Sequence, residues 1–194
     1  MSAPAPKLGP TLADLLAQPE DERFELVAGE LVRKEAGSGR HGLAQLRTYG
    51  ALGPFDRSSG GPPERPGGWW IASEVLVALR EGDVRRPDVA GWRRERLVEL
   101  PAEPPVRVVP DWNCEVLSPS NRRSDTIDKM RLYHAVEVRH YWLVDPAEEV
   151  LTVYRWTPEG YLHVLGATRG ERVRAEPFEV MEIEVGVLFG DDPT

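Results

Sequence analysis

Apolar positions in this chain fall in short runs separated by turn residues, and their spacing alternates between helical and strand-like. Residues 11–16 (Thr-Leu-Ala-Asp-Leu-Leu) open a short helix that Thr11 can N-cap and that ends near Pro19. Two apolar triplets then flank Ala28-Gly29 in Phe24-Glu25-Leu26-Val27-Ala28-Gly29-Glu30-Leu31-Val32, which predicts a β-hairpin with the glycine in a tight turn. Leu43, Leu46 and Tyr49 recur at spacing three, so residues 41–52 are predicted as a helix with these three on its apolar face. Residues 55–68 are rich in Gly, Pro and Ser and are predicted as a loop.

A strand begins at Trp69, and residues 74–79 have the apolar spacing of a strand or strand pair. Another strand is approached through Pro87, and residues 110–117 form a buried strand interrupted by Glu115. A helix is predicted over 124–136 from Ile127, Met130 and Tyr133, with Asp125 and Asp128 in early turns where the helix dipole favours acids. Residues 139–146, 150–156 and 161–165 follow as a strand and a meander, and 178–189 supply a last strand or helical turn. This order predicts a mixed α/β (α+β) fold with a central sheet flanked by helices. One domain is expected over 11–194, after a flexible segment at 1–10.

Composition narrows the class. With 194 residues, 41% hydrophobic and 29% charged, the chain can bury a sizeable core, and collagen, coiled-coil and mucin-like classes are excluded. Gly 18 and Pro 18 imply many turns and speak against a helical bundle. No apolar run is long enough to span a bilayer, Met1 to Pro10 lacks the pattern of a secretion signal, and the single cysteine, Cys114, has no disulfide partner, so a cytoplasmic location is expected. A net charge of −8 argues against coating nucleic acid by bulk charge. Locally the balance differs: six arginines stand against four acids between Arg80 and Arg96, whereas six acids and no base follow from Glu176 onward.

Three charges sit where the pattern predicts burial: Asp88 after Pro87, Glu115 inside its strand, and Lys129 on the following helix. Charged groups are seldom buried without a partner. Two carboxylates at the ends of neighbouring strands can bind a hard divalent cation, and a nearby lysine can stabilise charge developing on a phosphate. The alternative is structural: Asp88 caps a turn and Glu115 forms a buried ion pair with an arginine.

The blocks Phe24 to Leu31, Arg86-Pro87-Asp88-Val89-Ala90, Cys114-Glu115-Val116-Leu117-Ser118-Pro119-Ser120, Asp128-Lys129-Met130-Arg131-Leu132-Tyr133 and His140-Tyr141-Trp142-Leu143-Val144-Asp145-Pro146 occur in the order seen in the Uma2 family of restriction-endonuclease-like bacterial proteins, which this chain resembles over about residues 11–190. The resemblance implies the PD-(D/E)XK nuclease fold and a site using Mg2+ or Mn2+ to hydrolyse DNA phosphodiesters. Asp88 matches the first metal-binding aspartate and Glu115 the second acid. The usual lysine two positions after the acid is replaced by Leu117, and Lys129 on the next helix matches the family's displaced lysine. Glu30 matches the acid of the family's hairpin and His41 the histidine that opens the next helix. Both are candidates for the border of the metal site, whereas Glu25, expected opposite Glu30 across the hairpin, is read as structural or as supporting the groups that reach the metal. Two other classes stay open, a non-catalytic DNA-binding or scaffold module on the same fold and a hydrolase of phosphorylated small molecules. A homodimer, which would offer one site to each DNA strand, also stays open, although no heptad or symmetric patch supports it.

Overall fold

A computed structural model describes residues 9–19 and 21–193. The expected flexible segment therefore lies, apart from residues 9 and 10, outside the described residues. The chain opens with α1 (Leu12–Leu16), whose first turn is closed by a capping box: Asp14 N–H donates to Thr11 Oγ1, and Thr11 N–H donates to Asp14 Oδ2 at 2.7 Å. Strands β1 (Phe24–Val27) and β2 (Glu30–Arg33) form the expected hairpin. Ala28 (φ 49°) and Gly29 (φ 83°) both take the left-handed conformation that a two-residue turn with the correct twist requires.

Helix α2 (Gly39–Ala51) follows, then β3 (Trp69–Ser73), β4 (Val77–Arg80), β5 (Asp83–Arg85), β6 (Val89–Arg93) and β7 (Trp112–Val116). A π-helix, Ser124–Lys129, runs directly into α3 (Met130–Ala135). The chain continues through β8 (His140–Asp145), β9 (Val150–Thr157), β10 (Gly160–Thr168), β11 (Arg172–Val173) and β12 (Ile183–Glu184), and then a 3-10 turn, Val185–Phe189.

The main sheet has the order β10-β9-β8-β7-β6-β3. Within it β7 and β8 are parallel and the other pairs antiparallel, so the π-helix and α3 form the crossover that a parallel pair demands. A smaller sheet, β2-β1-β5-β4, carries the hairpin. Two cores meet at β7: Trp112, Cys114 and Val116 pack with Ala44 and Leu52 on the α2 side, while Leu117, one residue past the strand, belongs to a second cluster with Leu132 and Tyr133.

Two predicted faces are corrected. α2 buries His41, Ala44 and Thr48, whereas Leu43 is 40% and Leu46 66% exposed. Small residues let this helix lie close to the sheet, and the leucines turn outward. On the predicted 124–136 helix Ile127 is also exposed, because the first half is wound as a π-helix that turns Asp125 and Lys129 inward.

Candidate active site

Asp88 directly precedes β6 and Glu115 lies in β7. These strands pair with Val89 opposite Cys114, so continuing the register one step sets Asp88 against Glu115. Directly opposed residues of an antiparallel pair bring their Cβ atoms to about 5 Å. Both carboxylates are buried to 0% exposure.

Every oxygen of this pair has a partner. Asp88 Oδ2 accepts from Val116 N–H at 2.7 Å, and Oδ1 accepts from Lys34 Nζ at 2.8 Å, with His41 Nε2 3.5 Å away. Glu115 Oε2 accepts from Lys129 Nζ at 2.7 Å and Oε1 from the Tyr133 hydroxyl at 2.6 Å. Lys129 also pairs with Asp125 Oδ1 at 2.9 Å, four residues earlier, while the buried Asp125 Oδ2 has no hydrogen-bond partner. π-helical turns are rare and concentrate at functional sites. Here the turn presents an acid and its lysine side by side.

Burial alone would raise the Asp88 carboxyl, but the His41 contact and the ammoniums of Lys34 and Lys129 outweigh it and hold Asp88 well below the usual carboxylate range. Glu115 goes the other way. Burial pushes it up to about 8, with Asp88 and Asp125 adding to the rise and Lys129 opposing it. Asp125 is raised as well, again chiefly by burial. Two neighbouring acids driven in opposite directions are the pattern expected where acid and base roles are divided.

The hairpin brings the remaining groups. Lys34, just past β2, donates to Asp88, to Glu74 Oε1 at 3.0 Å and to the Arg86 carbonyl at 2.8 Å. Residues 33–37 cross the site as a strap. With His41 they line both a 710 Å3 cavity reaching Arg23, Gln45 and Glu74 and a 190 Å3 cavity reaching Glu25, Ser118, Asn121 and Lys129. The strap passes over His41 only because residue 37 is glycine, since a Cβ there would meet the imidazole Cδ2 at 2.3 Å. Ser38 then caps α2, accepting from His41 N–H at 3.3 Å.

Asp88, Glu115, Lys129 and His41 are thus brought together, and Glu30 is not. Glu30 is exposed at the turn end of β2, four residues before Lys34 and roughly 13 Å away along an extended strand. Glu25 is buried instead, accepts from Arg86 N–H at 2.6 Å and lines the same cavity as Lys129. The structural alternative for Glu115 is realised in part, because it does form a buried ion pair, with Lys129 and not with an arginine. Lys34, Glu74, Asp125 and Tyr133 were not among the expected site residues. Asp125 figured only as an early-turn acid of the predicted helix and Tyr133 only as part of its apolar stripe, while Lys34 and Glu74 carried no signal.

Among the described residues no three His, Cys, Asp or Glu side chains are grouped to hold a metal ion as they stand. The donor chemistry nevertheless suits a hard divalent cation: Asp88, Glu115 and Asp125 supply carboxyl oxygens, and the buried Asp125 Oδ2 has no hydrogen-bond partner.

A mixed sheet with one parallel crossover, bearing paired carboxylates on adjoining strands, defines a protein of the restriction-endonuclease-like fold. The chain belongs to the Uma2 family, whose model, described as "Putative restriction endonuclease", matches residues 11–186. The crystal structure of a protein from Anabaena variabilis ATCC 29413, described as a "putative nuclease belonging to DUF820", superposes with a TM-score of 0.71 at 19% identity, covering 93% of this chain and 97% of its own. No curated protein matches. Among the described residues no helix is long and apolar enough to cross a membrane.

Proposed function

We propose that this chain is a divalent-metal-dependent endonuclease that hydrolyses DNA phosphodiester bonds. The observation that carries the reading is the opposition of Asp88 and Glu115 across β6 and β7, with Lys129 on Glu115 at 2.7 Å and open cavities on either side of the strap. Asp88 and Glu115 would hold Mg2+ or Mn2+, with Asp125 beside them. A cation bound there makes a water more acidic and offsets charge on the phosphate.

The protein's own groups supply the rest. Lys129 keeps Glu115 and Asp125 in place and puts a fixed positive charge beside the developing phosphorane. His41 steadies Asp88 from the first turn of α2. Arg23 and Arg33 stand at the mouth of the larger cavity with only long contacts to acids, 3.6 Å to Glu74 and 3.8 Å to Glu22, and are free to exchange them for the phosphates of a strand. A homodimer would place one such site on each strand of a duplex.

The test is cleavage of supercoiled plasmid and of a labelled single strand with Mg2+ or Mn2+. Metal-dependent nicking that is lost in Asp88→Ala, Glu115→Ala and Lys129→Ala is the expected result. No cleavage by the wild type, together with no metal-induced rise in melting temperature, would leave a DNA-binding or scaffold module on a nuclease-like fold.

A further inference from the structure

Lys34 has an environment that a surface lysine after an exposed strand does not need. Its ammonium has three protons and gives each to an oxygen: Asp88 Oδ1 at 2.8 Å, Glu74 Oε1 at 3.0 Å and the Arg86 carbonyl at 2.8 Å. Two carboxylates and a carbonyl are the ligand types of Mg2+ and Mn2+. The cradle is held from behind, because Gln45 Nε2 donates to Glu74 Oε1 at 3.2 Å and to the Asp88 carbonyl at 2.9 Å. Glu74 keeps its second oxygen, Oε2, buried and without a hydrogen-bond partner.

We propose that the Lys34 ammonium is a resident counter-ion in the cation position next to Asp88, that a divalent cation enters by displacing it, and that Glu74 then joins Asp88 as a ligand. The inference rests on the metal-dependent reading above and adds to it a residue that must leave and an acid not otherwise assigned. The two lysines of the site differ in their freedom to move. Lys129 is on a helix, 6% exposed in its side chain and clamped between Glu115 and Asp125. Lys34 is on the strap between two cavities, its side chain is 11% exposed, and the 710 Å3 space beside it is where an unbranched stem can swing. The local charges favour the exchange: Asp88 and Glu74 present two carboxylates to the single ammonium of Lys34, and a dication in its place adds one positive charge between them. The released ammonium points into the cavity rimmed by Arg23 and Arg33, where a phosphodiester would approach.

Two measurements test this, neither using activity. In calorimetric titration with Mn2+ alone, Lys34→Gln is expected to bind at least about tenfold tighter than the wild type, because the site no longer spends most of its time occupied by its own lysine. Adding Glu74→Gln to that variant should remove the gain. The second measurement needs no variant: amine acetylation followed by mass spectrometry should modify Lys34 several-fold faster with Mg2+ than without it, while Lys129 is unchanged. Mn2+ binding of equal strength in wild type and Lys34→Gln, or Lys34 equally protected with and without Mg2+, would overturn the displacement and leave the nuclease reading intact. No Mn2+ bound by either protein would overturn both.

Discussion

Replacing Tyr133 by Phe removes one hydroxyl and leaves the packing in place, so it isolates the bond that Tyr133 donates to Glu115 Oε1 at 2.6 Å. The ring is fully buried and meets Tyr141 edge-on at 5.3 Å, a contact phenylalanine preserves. The cost depends on the charge of the acceptor. A hydrogen bond to a neutral group is worth about 1 kcal/mol and one to a charged group about 1.5–3 kcal/mol. Burial, aided by Asp88 and Asp125 against Lys129, pushes Glu115 up to about 8, so the acceptor is a carboxylic acid near pH 6 and a carboxylate above pH 9. Tyr133→Phe should therefore cost about 1 kcal/mol at pH 6 and about 2.5 kcal/mol at pH 9.5. The difference, about 1.5 kcal/mol, equals an upward shift of Glu115 by about one further pKa unit in the variant. Urea unfolding followed by fluorescence of the tryptophans, at both pH values, measures it. A loss equal at the two pH values, or below about 0.5 kcal/mol at both, would refute a titrating Glu115 as the acceptor.

Glu115 and Asp88 should leave opposite marks on stability against pH. The folded chain keeps a proton on Glu115 that the unfolded chain has lost, so melting temperature should fall as pH rises from the ordinary glutamate range to about 8, and Glu115→Gln should flatten that slope. Asp88, depressed in the fold, contributes stability that is fully present above its unfolded pKa and lost as pH falls below it, and Asp88→Asn should remove that acid limb. On α2, Leu46→Gln should change stability by less than about 0.5 kcal/mol in denaturant titration. Ala44→Leu, on the buried stripe, should cost about 1–3 kcal/mol by overpacking, and the reverse ranking would restore the leucine face as the buried one. Phe178→Ala should cost about 3–5 kcal/mol, since its ring packs on Phe55, Trp69, Trp112 and Trp142 at 4.8, 4.9, 5.2 and 5.6 Å.

What the sequence disclosed and what it concealed divide along a physical line. The hairpin, β7, β8 and the β9–β10 meander were legible because each has a continuous apolar signal bounded by residues with turn chemistry, such as Ala28-Gly29 with its two positive φ angles. Asp88, Glu115 and Lys129 stood out for the same reason inverted: a charge inside an apolar pattern must be accommodated somewhere. The face of α2 was misread because spacing counts leucines, whereas the sheet selects what fits closely, here Ala44 and Thr48, together with a histidine turned toward Asp88. No local rule announces the π-turn at Ser124–Lys129. The burial of Asp125 beside Lys129 becomes apparent only once Glu115 lies opposite them.

Two glutamates of one hairpin have different fates, and Lys34 leaves no trace in the sequence, for a related physical cause. Glu25 and Glu30 both sit in alternating apolar segments, and only the docking of β1 against β5 and the Arg86 backbone decides that Glu25 is buried and Glu30 exposed. Lys34 follows a strand that is almost wholly exposed, so its local pattern is that of a solvated lysine. It meets Asp88 across 54 positions of sequence, and Glu74 across 40. A buried charge leaves a trace in sequence when its own strand or helix buries it. When a remote segment does so, the trace is absent, and in this site the groups of that second kind, Lys34 and Glu74, are those on which access of a cation to Asp88 depends.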